Sequence, residues 1–125
     1  MTKERIGADQ LIEVVRRYLA AGYVYPVVHT AVDHGDHLEL TYILRHLHEA
    51  EPGERMLKIP LSYDDPQVPS LTPWVPGLVF QEREVYDLFG VIYDGHPDMR
   101  RLLLPDDFSG HPLRKSYTET GGERP

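Results

Sequence analysis

Apolar residues recur at helical spacing near the start of the chain. Over residues 9–21 they repeat every three or four positions, which predicts an amphipathic helix whose polar side faces water. The apolar positions are Leu11, Val14, Val15, Tyr18 and Leu19. We expect Asp9 to cap the first turn of this helix and Gly22 to end it.

Three later stretches have the composition and alternation of β-strands. Residues 23–32 are rich in Val, Tyr and Thr, with Pro26 near their start. In residues 38–45, Leu38, Leu40, Tyr42 and Leu44 alternate with Glu39, Thr41, Ile43 and Arg45, as in a half-buried strand. A third alternating stretch spans residues 56–61, and Pro60 suggests a sheet edge. A turn at residues 33–36 and a polar loop containing Pro52-Gly53 would join the strands into an antiparallel meander.

The second half of the chain is less regular. Residues 64–76 are too rich in proline for a regular element, although a short turn near Trp74 is expected. A second helix is predicted from Leu78 to Phe89, ended by Gly90. Residues 91–125, which we call the arm, hold four prolines and four glycines without a sustained period.

These elements predict an α+β fold. A small antiparallel sheet of three or more strands carries the N-terminal helix and the second helix on one face, followed by an extended irregular arm. We expect one domain with two parts, the α+β body at residues 1–90 and the arm at residues 91–125.

Composition excludes several functional classes. The 125 residues contain no cysteine, so this chain has no cysteine-ligated iron–sulfur cluster and no cysteine-ligated zinc site. Its net charge of −7 argues against nucleic-acid binding. No apolar run is long enough to span a membrane. Because the charged residues 3–5 lead into no apolar core, we do not expect a secretory signal.

The arm differs from the body in charge. It contains adjacent pairs of bases, Arg100-Arg101 and Arg114-Lys115, each shortly after a Gly-His-Pro phrase. Proline limits the entropy that such a segment loses on docking, and arginine suits carboxylates on a partner. The apolar run 102–104 between these pairs needs a core or a partner to cover it.

Several polar residues are candidates for catalytic or metal-binding groups. Glu82 and Glu84 are two apart on a helix and therefore point in different directions, so they are not a carboxylate pair. His46-x-His48 has a spacing that zinc sites use, but no third ligand accompanies it, and His34 and His37 flank a turn. No phosphate-binding loop, dinucleotide fingerprint or nucleophile motif is present.

The last third of the chain resembles the thirty-kilodalton (C-type) subunit family of respiratory complex I. The segments that carry the resemblance are Glu82-Arg83-Glu84, Tyr86-Asp87-Leu88-Phe89-Gly90, Gly95-His96-Pro97-Asp98, Arg100-Arg101-Leu102, Pro105-Asp106, Gly110-His111-Pro112-Leu113-Arg114-Lys115 and Tyr117. A looser similarity covers residues 38–44 and the loop before the second helix.

The resemblance implies a subunit of a membrane-associated redox complex that is itself non-catalytic and binds no cofactor. Iron–sulfur clusters and a quinone or nickel–iron site would lie in partner subunits. The expected partners are a catalytic large subunit related to [NiFe]-hydrogenase large subunits and an iron–sulfur small subunit, on the cytoplasmic side of the membrane. The implied interface and arm-anchoring residues are Glu82, Arg83, Glu84, Asp87, His96, Arg100, Arg101, His111, Arg114 and Lys115.

One departure leaves the parent complex open. Complex I members typically have Ala-Ala-Asn-Trp before Glu-Arg-Glu, whereas this chain has residues 76–81, Pro-Gly-Leu-Val-Phe-Gln. The Val-Pro-Gly form is similar to homologues in membrane-bound [NiFe]-hydrogenases and related energy-converting complexes. The electron donor could therefore be NADH, hydrogen or ferredoxin.

A stand-alone binding module and a small metal-dependent enzyme that uses His46 and His48 remain as alternatives. We expect Arg100→Glu or Arg114→Glu to release the partner without unfolding the chain.

Overall fold

The computed structural model describes residues 2–48, 53–105, 107–118 and 122–123. Its centre is a four-stranded mixed sheet in the order β1-β4-β3-β2. The strands are β1 (Thr2–Arg5), β2 (Tyr23–Asp33), β3 (His37–His46) and β4 (Glu54–Ser62). The three predicted strands form the expected antiparallel meander. The predicted α+β class is confirmed.

The sheet has one apolar face and one polar face. On β3, Leu38, Leu40 and Tyr42 are fully buried, and they lie opposite Leu61, Ile59 and Leu57 of β4. The alternation of the sequence therefore places every second side chain in the core. The other face carries Glu39, Thr41 and Lys58, and the Lys58 ammonium contacts both of the others.

Strand β1 is a fourth strand that the sequence pattern did not predict. It pairs in parallel with β4 from Arg55 to Lys58. The prediction that Pro60 marks β4 as an edge strand is wrong for the first half of β4, residues 55–58, because β1 pairs with it. Pro60 itself lies beyond the paired segment, where β1 has already ended, so its missing N–H is tolerated there.

Helix α1 (Leu11–Ala20) packs its apolar stripe into the core, as predicted. Its start differs from the prediction, because Asp9 lies inside a preceding 3-10 turn, Ala8–Gln10, and does not cap it. The backbone N–H of Gly7 instead donates to the side chain of Gln10, 3.1 Å away. The Tyr18 hydroxyl on this helix donates to Glu4 and thereby joins α1 to β1.

Helix α2 (Val79–Phe89) matches the predicted second helix. A 3-10 turn at Pro76–Leu78 leads into it, and Gly90 ends it in the left-handed conformation with φ of +80°. The expected turn near Trp74 is present, since Trp74 N–H donates to the Leu71 carbonyl. Both helices contact β2 and share one apolar core with the sheet.

The arm contains short strands that the sequence did not indicate. β6 (Ile92–Asp94) pairs in parallel with β5 (Gln67–Pro69), and β7 (Tyr117–Thr118) pairs with β8 (Gly122–Glu123). Pro52 of the predicted polar loop lies outside the described residues. Within the described ranges, no helix has the length and apolar character to cross a membrane.

Candidate functional site

The charged side chains of α2 lie on different sides of the helix. Glu82 is fully buried and points toward the loop before the helix. It accepts hydrogen bonds from the hydroxyls of Ser70 (2.6 Å) and Thr72 (2.8 Å) and from the backbone N–H of Leu71 (2.9 Å). Its carboxylate therefore fixes residues 70–72 against the helix. Glu84, two positions on, is exposed.

Arg83 connects α2 to the arm. Its guanidinium donates to the carbonyls of Arg100 (3.1 Å) and Arg101 (2.9 Å), and it lies 3.5 Å from the Asp98 carboxylate. The Arg83 side chain is almost completely buried by these contacts. Because the five donors of a guanidinium have a fixed geometry, this residue sets the path of the backbone at residues 100–101.

Asp87 makes the densest set of contacts between helix and arm. Its Oδ2 accepts the backbone N–H groups of residues 102, 103 and 104 at 2.7–3.2 Å, and its Oδ1 accepts from Arg101 at 2.7 Å. Burial alone would raise the pKa of Asp87. The Arg101 guanidinium and the three N–H donors outweigh burial, so the pKa lies below the ordinary carboxyl value.

The two Gly-His-Pro phrases place their imidazoles against the backbone of α2. His96 Nε2 donates to the Val79 carbonyl at 3.0 Å, and His111 Nδ1 donates to the Asp87 carbonyl at 3.0 Å. His96 also lies 3.9 Å from the Glu82 carboxylate, and both side chains are fully buried. One histidine therefore contacts the first turn of the helix and the other its last turns.

Arg114 and the backbone of Lys115 hold the end of the arm. Arg114 donates to the carbonyls of Phe89 (3.0 Å) and Tyr63 (2.6 Å), and its guanidinium lies 4.1 Å from the centre of the Tyr63 ring. The Lys115 N–H donates to Asp33 at 2.8 Å. These contacts join the arm to both α2 and the sheet.

The structure therefore divides the ten predicted interface residues. Seven have buried or half-buried side chains that bind the chain's own backbone or side chains: Glu82, Arg83, Asp87, His96, Arg101, His111 and Arg114. Three are exposed: Glu84, Arg100 and Lys115. Contact with a partner stays a prediction for all ten. For Arg114→Glu the expectation of an intact fold is revised, because this buried side chain donates to two backbone carbonyls that glutamate cannot satisfy.

Apolar side chains remain exposed around this network. Leu103 is 60% exposed and Leu113 is 52% exposed, while Leu102 and Leu104 are half-buried. Phe80 on α2 is 59% exposed. We call Phe80, Leu103 and Leu113, with the exposed Glu84, Arg100 and Lys115, the arm surface. Of its residue types, phenylalanine and arginine are enriched in protein-contact surfaces, whereas lysine and glutamate are depleted there.

A buried aromatic group beside Glu82 was missed by the sequence analysis. His29 stacks on Tyr42, with ring centres 3.9 Å apart, and accepts a hydrogen bond from the Tyr93 hydroxyl at 2.5 Å. Burial lowers the pKa of His29 to about 3. Burial also raises the pKa of Tyr42, and the Glu82 charge adds to this rise. The strand alternation could have placed His29 inward, but nothing in the sequence indicated its partner.

In the predicted His46-x-His48 pair, the His46 ring has other contacts. His46 Nδ1 accepts the backbone N–H of His48 at 3.2 Å, and the opposite edge of its ring lies against Gly22. Among the described residues, the donor atoms that converge belong instead to His34, His37 and Glu39.

Comparison with known proteins identifies the family of this chain. Residues 5–123 match the family described as the 30-kilodalton subunit of respiratory-chain NADH dehydrogenase. The chain belongs to this family. The C-type subunit of NADH-quinone oxidoreductase from Moorella thermoacetica is 40% identical over 122 residues, which cover 94% of this chain and 82% of that protein. The corresponding protein of Saccharopolyspora erythraea is 54% identical over 61 residues, which cover 49% of this chain and only 24% of that relative.

Two solved structures share the fold. The sulfane sulfur reductase, an archaeal respiratory membrane complex, contains a chain that matches 84% of this one and 63% of its own length, with a TM-score of 0.75 and 26% identity. A trypsin-resistant fragment of Nqo5 matches 77% of this chain and 80% of its own length, with a TM-score of 0.70 and 24% identity. The family resemblance and the α+β architecture predicted from the sequence are both confirmed.

Proposed function

We propose that this chain is a cofactor-free structural subunit of a complex I-like, membrane-associated redox complex. Its role is positional: the α+β body and the arm hold a catalytic large subunit and an iron–sulfur small subunit in a fixed geometry, on the cytoplasmic side of the membrane. Electrons pass between cofactors of those subunits and not through this chain. Family membership and the names of the relatives support this proposal.

One structural observation carries the docking part of the proposal. The buried charges of α2 are used inside the chain to hold the arm, so the arm keeps its shape while Leu103 and Leu113 remain exposed. A preformed surface loses little entropy on binding, and covering a leucine contributes about 2 kcal/mol. The arm surface is therefore the part of the molecule that we assign to the large subunit.

A pull-down from gently solubilised native membranes tests the proposal. The tagged full-length chain should retain the large and small subunits. The double variant Leu103→Glu/Leu113→Glu should release them, because it places two charges in the apolar centre of the contact. Leu47→Glu is the matched control, since Leu47 is also 52% exposed but lies beyond β3. Thermal unfolding of each purified variant establishes that the fold is retained.

Charge reversal on the same surface gives a second, milder test. Arg100→Glu and Lys115→Glu should weaken retention of the large subunit, while Arg16→Glu on the exposed side of α1 should not. Docking through the arm would be refuted if the large subunit were fully retained by Leu103→Glu/Leu113→Glu, by Arg100→Glu and by Lys115→Glu. If the wild-type chain retains no large subunit, a stand-alone binding module replaces this proposal.

A second parent complex is supported by the sequence before α2. The Val-Pro-Gly form of residues 75–77 is similar to homologues in membrane-bound [NiFe]-hydrogenases, and a chain of another respiratory membrane complex, the archaeal sulfane sulfur reductase, shares the fold with a TM-score of 0.75. The equivalent subunit of an energy-converting membrane-bound [NiFe]-hydrogenase or related complex is therefore the alternative. The recovered large subunit decides between them: nickel-ligating cysteines indicate the hydrogenase, and quinone-site residues indicate the respiratory enzyme.

A further inference from the structure

The tight connection between β2 and β3 brings two imidazoles and a carboxylate together. His34, His37 and Glu39 each offer one donor atom, and these atoms all lie within 4.8 Å of one another. His34 Nε2 is 3.5 Å from Glu39 Oε1, and the rings of His34 and His37 stack with centres 4.6 Å apart. None of the three residues belongs to the arm surface, and Glu39 lies on the polar face of the sheet.

The local fold holds the cluster in place. His37 and Glu39 are two apart on β3, so their side chains leave the sheet on the same face. The turn before them is fixed by Asp33, whose Oδ1 accepts the N–H of Gly35 at 2.7 Å. Asp33 is itself held by hydrogen bonds from the Tyr63 hydroxyl and the Lys115 N–H. His34 is therefore presented on an anchored turn.

We propose that His34, His37 and Glu39 form a binding site for a divalent transition-metal ion of the zinc class. Two imidazole nitrogens and one carboxylate oxygen are a donor set that zinc uses, with the fourth position taken by water. His37 Nδ1 already donates to Asp36 Oδ1 at 2.7 Å, which leaves its Nε2 for the metal. Carboxylates that orient a ligating histidine in this way are typical of metal sites.

Two cations beside the cluster compete with a metal. Arg5 lies 3.1 Å and Lys58 3.9 Å from the Glu39 carboxylate. The Arg5 side chain is 67% exposed, so it can move aside when a metal binds Glu39. Their charges oppose a second cation nearby, which gives the proposal a directional consequence: removing the Arg5 charge should strengthen metal binding.

The test is a calorimetric titration of the untagged full-length chain with Zn²⁺. The wild-type chain should bind one equivalent, and Zn²⁺ should raise its unfolding temperature, because the metal binds only the folded arrangement. His34→Gln and His37→Gln should lose both effects. His48→Gln is the matched control, since it removes an exposed histidine outside the cluster and should bind as the wild type does.

Two further variants distinguish this site from nonspecific binding of Zn²⁺ to other surface residues. Asp36→Asn should weaken Zn²⁺ binding by about tenfold, as loss of a carboxylate behind a histidine ligand does elsewhere. Arg5→Ala should tighten it. The proposal is overturned if the wild-type chain binds no stoichiometric Zn²⁺, or if the two cluster variants still bind it like the wild type. Loss of binding in His48→Gln would also overturn it. Circular dichroism establishes that each variant is folded.

Discussion

Arg101 and Asp87 form the ion pair that organises the arm. Arg101 Nη1 lies 2.7 Å from Asp87 Oδ1, with the carboxyl side chain fully buried and the guanidinium side chain 10% exposed. The second guanidinium nitrogen donates to the carbonyls of Phe108 and Gly110. One pair therefore joins the last turns of α2 to the backbone of the arm between residues 101 and 110.

Asp87→Asn should destabilise the chain by about 3 kcal/mol, because it leaves the Arg101 charge buried without its counter-charge. An asparagine also presents an amide nitrogen in place of one carboxylate oxygen, so either Arg101 or the three backbone N–H groups of residues 102–104 lose their acceptor. The free energy of unfolding, measured by urea denaturation monitored by circular dichroism, checks this prediction.

Asp64→Asn is the matched control for this change. Asp64 is exposed, so the same substitution there should alter the unfolding free energy by less than about 0.5 kcal/mol.

The stability of the two variants should also depend differently on pH in acid. The pKa of Asp87 is lowered in the folded state, so its contribution is present above the ordinary value of 3.8 and is lost as pH falls through the lower folded pKa. Equal stability of both variants at pH 7 would contradict the role assigned to Asp87.

Strong periodicity made most of the fold predictable. The alternation of residues 38–45 and the helical spacing in α1 identified the apolar side chains of the core, although Glu39 and Thr41 on the other face of β3 are also buried. Strand β1 was not predicted, because residues 2–5 are polar and the strand pairs with residues that are far along the chain. The parallel pair β5 and β6 was not predicted either, because strands of three residues are too short to show a period.

The sequence did not indicate how the residues of the candidate site are arranged. The family signature identified Glu82, Arg83 and Asp87, yet charged residues on a helix are usually solvated, and nothing in the sequence indicated their burial. Their acceptors and donors are largely backbone groups of the arm and of residues 70–72. Any sequence can supply such partners, so only the three-dimensional arrangement reveals them.

Glu82→Gln and Glu84→Gln make a matched pair on one helix. Glu82 is fully buried and accepts three hydrogen bonds, whereas Glu84 is exposed. Glu82→Gln should cost about 2–3 kcal/mol of unfolding free energy, because a buried donor loses its charged acceptor. Glu84→Gln should stay within about 0.5 kcal/mol. Urea denaturation of both variants measures the difference, and similar costs would show that Glu82 is not needed to hold residues 70–72.

Buried His29 should make stability depend on pH above the range of the carboxylates. Its folded pKa of about 3 is below the ordinary 6.5, so the unfolded chain binds the proton more tightly. Stability is then fully present above pH 6.5 and is lost as pH falls toward 3. The slope contributed by this one residue should be about 1.4 kcal/mol per pH unit. Unfolding free energies from urea denaturation between about pH 4.5 and about pH 6.5 measure it.

His29→Gln provides the comparison for this slope. The variant should be less stable at pH 7, because it loses the hydrogen bond from Tyr93 and the stacking on Tyr42. Its stability should nevertheless fall less steeply with acid, since glutamine does not titrate. Subtracting the two profiles removes the contribution of the other histidines. Parallel profiles would mean that His29 becomes protonated in the folded protein.

Gly90 ends α2 in the left-handed backbone conformation, immediately before the arm begins. Its φ is +80°, and a Cβ added there would come within 2.8 Å of the His111 ring, which is held by its hydrogen bond to the Asp87 carbonyl. Gly35 has a similar φ of +89° but open space around it. Gly35→Ala should therefore cost about 1 kcal/mol of backbone strain alone. Gly90→Ala should cost at least about 1 kcal/mol more, because His111 must give up its contact with the helix. Thermal and urea denaturation of the two variants measure this difference. Equal costs would mean that His111 moves without penalty, and the arm would then be anchored mainly by Asp87 and Arg83.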